Sequence, residues 1–191
     1  MNKQTANILI VSAVVLITAL MRVINLELHI YNLVPVAALG IFSGSVLRNK
    51  AQAYLIPLLA MLISDIDIAL FTNTKGFYGV SQFVNYGAIM LVTLMGSAMQ
   101  RRNVVNIAGY TLGGSFVFFV LSNFGTFLGG YYGYSFAGFT ECFAMAIPFY
   151  KSDMAWSFFF NSFAGDLSFS LIAFGSYHLL AGRLHQMQIA E

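Results

Sequence analysis

Apolar residues along this chain come in long unbroken runs, with polar positions gathered between the runs and at a few points inside them. A bilayer core takes roughly 20 apolar residues as helix. Runs near that length lie at 8–24, 33–47, 53–71, 81–99, 104–128 and 154–182. The pattern predicts an all-α membrane protein, one integral domain over 1–191 with six transmembrane helices. The second run is short and opens at Pro35, a residue suited to a helix start because its missing N–H has no partner there anyway. The stretch 137–149 is apolar but too short to cross, which predicts an interfacial or re-entrant helix. The first run follows Lys3 and continues to Ile24 with no small-residue cleavage site, so it reads as a span and not as a signal peptide.

Composition agrees: 59% of residues are hydrophobic, 8% are charged, and mean hydropathy is +0.77. Soluble domains carry roughly 25% charged residues, so this chain cannot cover a water-facing surface. A net charge of +2, with basic residues single or in pairs, gives no nucleic-acid footprint. Cys142 is the one cysteine, which excludes an intrachain disulfide and a cysteine zinc cluster. His29, His178 and His185 have no ligand spacing, and neither a metal nor a cofactor is expected.

Lys/Arg in short loops sets orientation. Lys3, Arg48, Lys50, Arg101, Arg102 and Arg183 fall on one side, and Arg22, Lys75 and Lys151 on the other. The bias predicts a multi-pass cell-membrane protein with six spans and both termini cytoplasmic. The opposite loops are longer and rich in aromatics and glycine, including Phe77, Tyr78, Tyr131, Tyr132 and Tyr134. Trp156 reads as an interface anchor on that side.

Three acids interrupt the runs: Asp65, Asp67 and Asp166. An Asp at mid-helix costs about 2.5–3.5 kcal/mol on insertion scales, so it faces a partner or a wet cavity. At about 1.5 Å per residue, Asp65 and Asp166 both lie roughly 18 Å from a membrane face, near mid-depth. Arg22, Asn85, Tyr86, Asn123 and Asn161 fall in the outer half of their spans. The set predicts a cavity open outward, with Asp65 and Asp166 at its floor. Asn85, Asn123 and Asn161 would orient a ligand, and Tyr132 and its neighbours would cover it. On that reading Asp166→Asn leaves folding intact and abolishes ligand-induced stabilisation. Each residue has a structural reading too. Asp65 and Asp166 could bind neighbouring backbone or pair with Arg22, and Asn123 could cap a helix. Asn85 and Asn161 could bridge helices, and Asp67 could simply be hydrated.

Gly40-Ile-Phe-Ser-Gly44 and Gly109-Tyr-Thr-Leu-Gly113 have small-residue spacing for close helix approach, within the chain or to a partner. No G-x-x-x-x-G-K-[ST], H-E-x-x-H or G-x-S-x-G is present, so no catalytic residue is assigned and the chain is not expected to be an enzyme. Ala164-Gly165-Asp166 falls short of the Gly-x-Gly-Asp of intramembrane aspartyl proteases, with Phe163 in place of the first glycine.

Asn32-Leu-Val-Pro35, Pro57 to Asp65, Ser122-Asn123-Phe124, Cys142 to Phe149 and Asn161 to Asp166 together resemble an uncharacterised bacterial family of six-helix proteins assigned to transport. That family is similar to the substrate-binding S components of energy-coupling factor (ECF) transporters. The resemblance implies uptake of a vitamin, precursor or metal from the outer face. It also implies a transmembrane coupling subunit and ATPases supplied by other chains. The alternatives are an intramembrane hydrolase using Asp65 and Asp166, or a non-transporting membrane scaffold docking through Gly40 and Gly44.

Overall fold

The computed structural model describes residues 3–28, 35–147 and 158–189. Its elements are α1 (Lys3–Glu27), α2 (Val36–Val46), α3 (Lys50–Phe71), α4 (Val80–Ser97), α5 (Val104–Leu128), α6 (Phe136–Ala146) and α7 (Phe158–Ile189). Among the described residues there are no strands. α3, α4 and α5 are long and apolar enough to cross a bilayer. Their outward faces are apolar as well: Leu55, Leu59 and Ile66 on α3, Phe83 and Leu94 on α4, and Val105 and Phe116 on α5 are all exposed. A bundle with such a surface is consistent with a helical membrane protein.

The expected spans match these helices closely at 104–128 and within a few residues at 53–71 and 81–99. α3 starts before its apolar run because Asn49 accepts from Gln52 N at 3.3 Å and fixes the first turn. α1 runs past both ends of 8–24, and α7 passes 182 to reach Ile189. Hydropathy marks the apolar stretch, whereas helix ends are set by caps and turns. Trp156 and the start of the last run lie outside the described residues, as do 33, 34, 148 and 149.

The second run, short in sequence, is a short helix in the fold. Helix α2 covers 36–46, 11 residues. At about 1.5 Å per residue it spans roughly 16 Å, against about 30 Å for a hydrocarbon core. All its residues are buried, and it packs on α1, α3, α4, α5 and α7. A helix apolar on every side has no face to give to water, and here it becomes the axis of the bundle.

Two small residues set the closeness of α2 and α4. A Cβ on Gly44 would lie 2.2 Å from Thr93 O, and one on Gly96 would lie 2.5 Å from Ile41 O. Both helices therefore meet backbone to backbone, as in small-residue membrane packing. The Gly40–Gly44 spacing is used inside the chain, since a Cβ on Gly40 would meet Ile89 and Val92 of α4. Gly109 is different: it is exposed, and a Cβ there would meet nothing within 4 Å.

Pro57 lies inside α3 and is buried. Proline has no N–H, so the carbonyl four residues earlier loses its helical donor. That carbonyl is Ala53 O, and it accepts instead from Ser43 Oγ on α2 at 3.0 Å. The broken ladder in α3 becomes a tie to the central helix.

At one end of the bundle lie Arg48, Lys50, Arg101 and Arg102, and at the other the aromatic loops 72–79 and 129–135. α6, too short to cross, follows the second loop and packs on α5. Ser135 caps its start by accepting from Gly138 N at 3.1 Å.

Candidate functional site

The polar residues form three groups near the aromatic end, each built by a different set of helices. The first joins α1, α3 and α4. Arg22 Nη2 lies 2.7 Å from Asp65 Oδ1 without a hydrogen bond's alignment, so this contact is an ion pair. Arg22 Nη1 donates to Met61 O at 3.2 Å and also meets Ser64 Oγ. The other carboxylate oxygen, Asp65 Oδ2, accepts from Tyr86 O–H at 2.8 Å and Gln82 Nε2 at 3.0 Å. Gln82 and Tyr86 stand four apart on α4, so one helix face delivers both, and Gln82 Nε2 also donates to Tyr86 OH at 3.1 Å. Asp65 is fully buried, and both its oxygens are engaged.

The second group joins α7, α5 and α2. Asp166 Oδ1 accepts from Ala38 N at 2.9 Å, and Oδ2 accepts from Ser115 O–H. Ala38 is the third residue of α2, whose N-cap is Pro35 with no side-chain acceptor. The first N–H groups of a helix have no partner in their own helix, and the helix dipole favours negative charge beside them. Asp166 fills both needs from another helix. The far end of α2 is treated in mirror fashion, with Arg102 Nη2 donating to Ser45 O.

The third group closes the aromatic end. Loop 72–79 folds back onto α3, where a Cβ on Gly76 would lie 1.9 Å from Asp65 O, so a residue without a side chain is required. This brings Tyr78 over the bundle. Asn85 Nδ2 donates to Tyr78 OH at 3.2 Å, while Asn85 Oδ1 is buried with no hydrogen-bond partner among the described residues. Burial raises the Tyr78 phenol above its ordinary value of 10.0, so it keeps its proton at neutral pH.

Two cavities meet at this pair. The inner chamber, about 240 Å³, is bordered by Arg22, Asn85, Ser122, Thr126, Phe118 and Asp166 among others. The outer one, about 300 Å³, is bordered by Ser81, Tyr131 and Tyr132. Tyr78, Asn85 and Thr126 border both.

The expected site residues are thus only partly brought together. Arg22, Asn85, Asn123 and Asp166 border the inner chamber, and Tyr132 borders the outer. Asp65 and Tyr86 are bound to each other. Asn123 Nδ2 donates back to Phe119 O of its own helix at 2.8 Å. Asn161 is 3% exposed and sits within the helix packing. Asp166 borders the chamber, and its oxygens also accept from Ala38 N–H and the Ser115 hydroxyl, so the same carboxyl caps a helix end.

Sequence reasoning passed over Gln82, Ser115 and Ser64. Gln82 was within reach: Ser81, Gln82, Asn85 and Tyr86 make a polar stripe at helical spacing. Ser115 reads in sequence only as a small residue beside Gly114.

The chain belongs to DUF6580, a family of unknown function, whose profile matches residues 2–188. No curated protein and no solved structure matches it.

Proposed function

We propose that this chain is a membrane transport protein, a substrate-binding subunit similar to the S components of ECF transporters, which takes up a small molecule from the aromatic side. The observation that carries this reading is the inner chamber, where polar atoms from α1, α4, α5 and α7 converge under Tyr78. A membrane bundle held only by packing has no need of a buried amide oxygen without a partner, because an unsatisfied buried acceptor costs about 1–3 kcal/mol. On this reading the chain crosses six times, α2 making only part of the second crossing, and both termini are cytoplasmic at the basic end. α6 lies at the outer interface. The energy and the coupling subunit come from other chains.

The separate partner sets of Asp65 and Asp166 weigh against an intramembrane hydrolase, which needs the two carboxyls to share a proton or a water. The Gly40–Gly44 face is engaged with α4, which weighs against a scaffold docking there.

Thermal-shift screening of the purified protein against vitamins, their precursors and divalent metals is the direct test. Stabilisation by one of them, together with its accumulation by cells expressing the chain with its coupling partners, is the expected result. A folded protein that responds to none of them overturns the reading.

A further inference from the structure

We infer that the inner chamber selects a neutral aromatic heterocycle carrying exocyclic amino groups. This rests on the uptake reading above and narrows its substrate class.

Hydrogen-bond polarity is the first argument. Asn85 turns its donor to Tyr78 and leaves Oδ1 buried and unpartnered. Ser122 O–H donates to Phe119 O at 3.1 Å, and Thr126 O–H donates to Ser122 O at 3.1 Å. Both hydroxyls spend their protons on their own helix and offer the chamber lone pairs only. This wall accepts, so its ligand has to donate. The Tyr78 hydroxyl accepts from Asn85 Nδ2 and keeps its own proton, which sets one donor beside the Asn85 acceptor. An amino group next to a ring nitrogen is the complement of that pair, as in the bidentate reading of adenine by a carboxamide.

Charge is the second argument. The chamber's basic group, Arg22, is balanced by Asp65, and the oxygens of Asp166 hold Ala38 N–H and the Ser115 hydroxyl. An anionic ligand would have to part Arg22 from Asp65. A cationic one would lie against the guanidinium. A neutral ligand disturbs neither.

Size and wall chemistry are the third. A cavity of about 150 Å³ takes a benzene, and this chamber has about 240 Å³, room for one ring with a few substituents. Val36, Met61 and Phe118 supply apolar surface for the ring.

The test is calorimetric titration of the full chain in lipid nanodiscs with 2,4-diaminopyrimidine and with uracil, above the pH at which the diamine protonates. The two rings match in size, and both can meet the Tyr78–Asn85 pair, uracil by a ring N–H beside a carbonyl. The diamine keeps a further amino group for the lone pairs of Ser122 and Thr126, where uracil presents a carbonyl. The diamine is expected to bind at least about tenfold more tightly than uracil, since each mismatched buried polar group costs on the order of one such factor. Asn85→Leu and Thr126→Val are each expected to weaken the diamine several-fold while keeping the ligand-free melting temperature near wild type. Equal or tighter binding of uracil or of benzoate overturns the class, and so does binding by neither ring. Stabilisation by some other solute alone overturns the class and leaves the uptake reading standing. A diamine that binds through Asn85 but is never accumulated by cells confirms the class and overturns uptake.

Discussion

Asp166, on α7, makes to Ala38 the hydrogen bond that a side chain at Pro35 would make if Pro35 had an acceptor. The bond reaches across 128 residues of sequence and comes with a second, from Ser115. Arg102 does the corresponding work at the other end of α2 through Ser45 O. The short central helix is therefore bracketed by an acid at its N-terminal end and a base at its C-terminal end, the order its dipole favours. A free helix end in the core would leave buried N–H and C=O groups without partners, which the low-dielectric interior penalises heavily.

This relationship fixes the expected behaviour of Asp166 variants. Asp166→Ala removes the cap and strands Ala38 N–H and the Ser115 hydroxyl, so unfolding free energy falls by about 2 kcal/mol. Asp166→Asn keeps an acceptor for Ala38 and loses the one for the Ser115 hydroxyl, but its amide can donate to Ser115 Oγ instead, so it costs about 1 kcal/mol or less. With the carboxyl serving the helix end alone, ligand affinity in the asparagine variant changes less than about threefold. Denaturant unfolding in detergent and ligand titration read both quantities. An asparagine variant with wild-type stability and no ligand binding would return the carboxylate to the ligand.

A second expectation concerns Arg22 and Asp65. Removing one partner of a buried ion pair leaves an uncompensated charge and costs about 3–5 kcal/mol. Arg22→Met and Asp65→Leu should each destabilise by that order, and Asp65→Leu strands Tyr86 and Gln82 as well. The double variant should cost much less than the sum. A double-mutant cycle by thermal unfolding checks it, and additivity would show that the pair contributes nothing by being paired.

The two glycine spacings should separate cleanly. Gly44→Ala forces a Cβ into Thr93 O, backbone that cannot yield cheaply, so the variant should be lost from the membrane fraction or melt far lower. Gly109→Leu places its side chain in open space and should leave the melting temperature unchanged. Expression and thermal melting of the two variants decide it, and a stable Gly44→Ala would contradict the close α2–α4 packing.

Much of this bundle could be read from hydropathy, because long apolar runs and spanning helices have the same cause. The runs at 53–71, 81–99 and 104–128 became α3, α4 and α5. The shortness of α2 and its start at Pro35 were legible, but its burial on every side was not, since apolarity alone does not say whether a helix faces lipid or its neighbours. The acids were conspicuous in sequence, but their partners were not. Asp65 had Arg22 as a named candidate, and the structure pairs them. Asp166 had nothing to point it at Ala38, because a backbone N–H leaves no trace in the residue code. Asn85 likewise looks like any intramembrane amide until loop 72–79 sets Tyr78 against it.

The last prediction follows from Pro57, where a defect in one helix is repaired by another. With proline in place, Ser43 Oγ is the donor that Ala53 O would otherwise lack. Ser43→Ala should therefore cost about 1–3 kcal/mol, the penalty for a buried acceptor left without a donor. Pro57→Ala restores an N–H four residues after Ala53, so the helical bond can form and the carbonyl no longer depends on α2. In that background Ser43→Ala should cost distinctly less, leaving only the local bond from Ser43 Oγ to Gly40 O at 3.2 Å. The four proteins form a closed cycle, and denaturant unfolding in detergent gives its coupling energy, expected near 1 kcal/mol. A coupling of zero would mean that Ser43 contributes through packing alone. A Pro57→Ala variant less stable than wild type, with the coupling intact, would show that α3 depends on the proline for its shape as well as for the bond it omits.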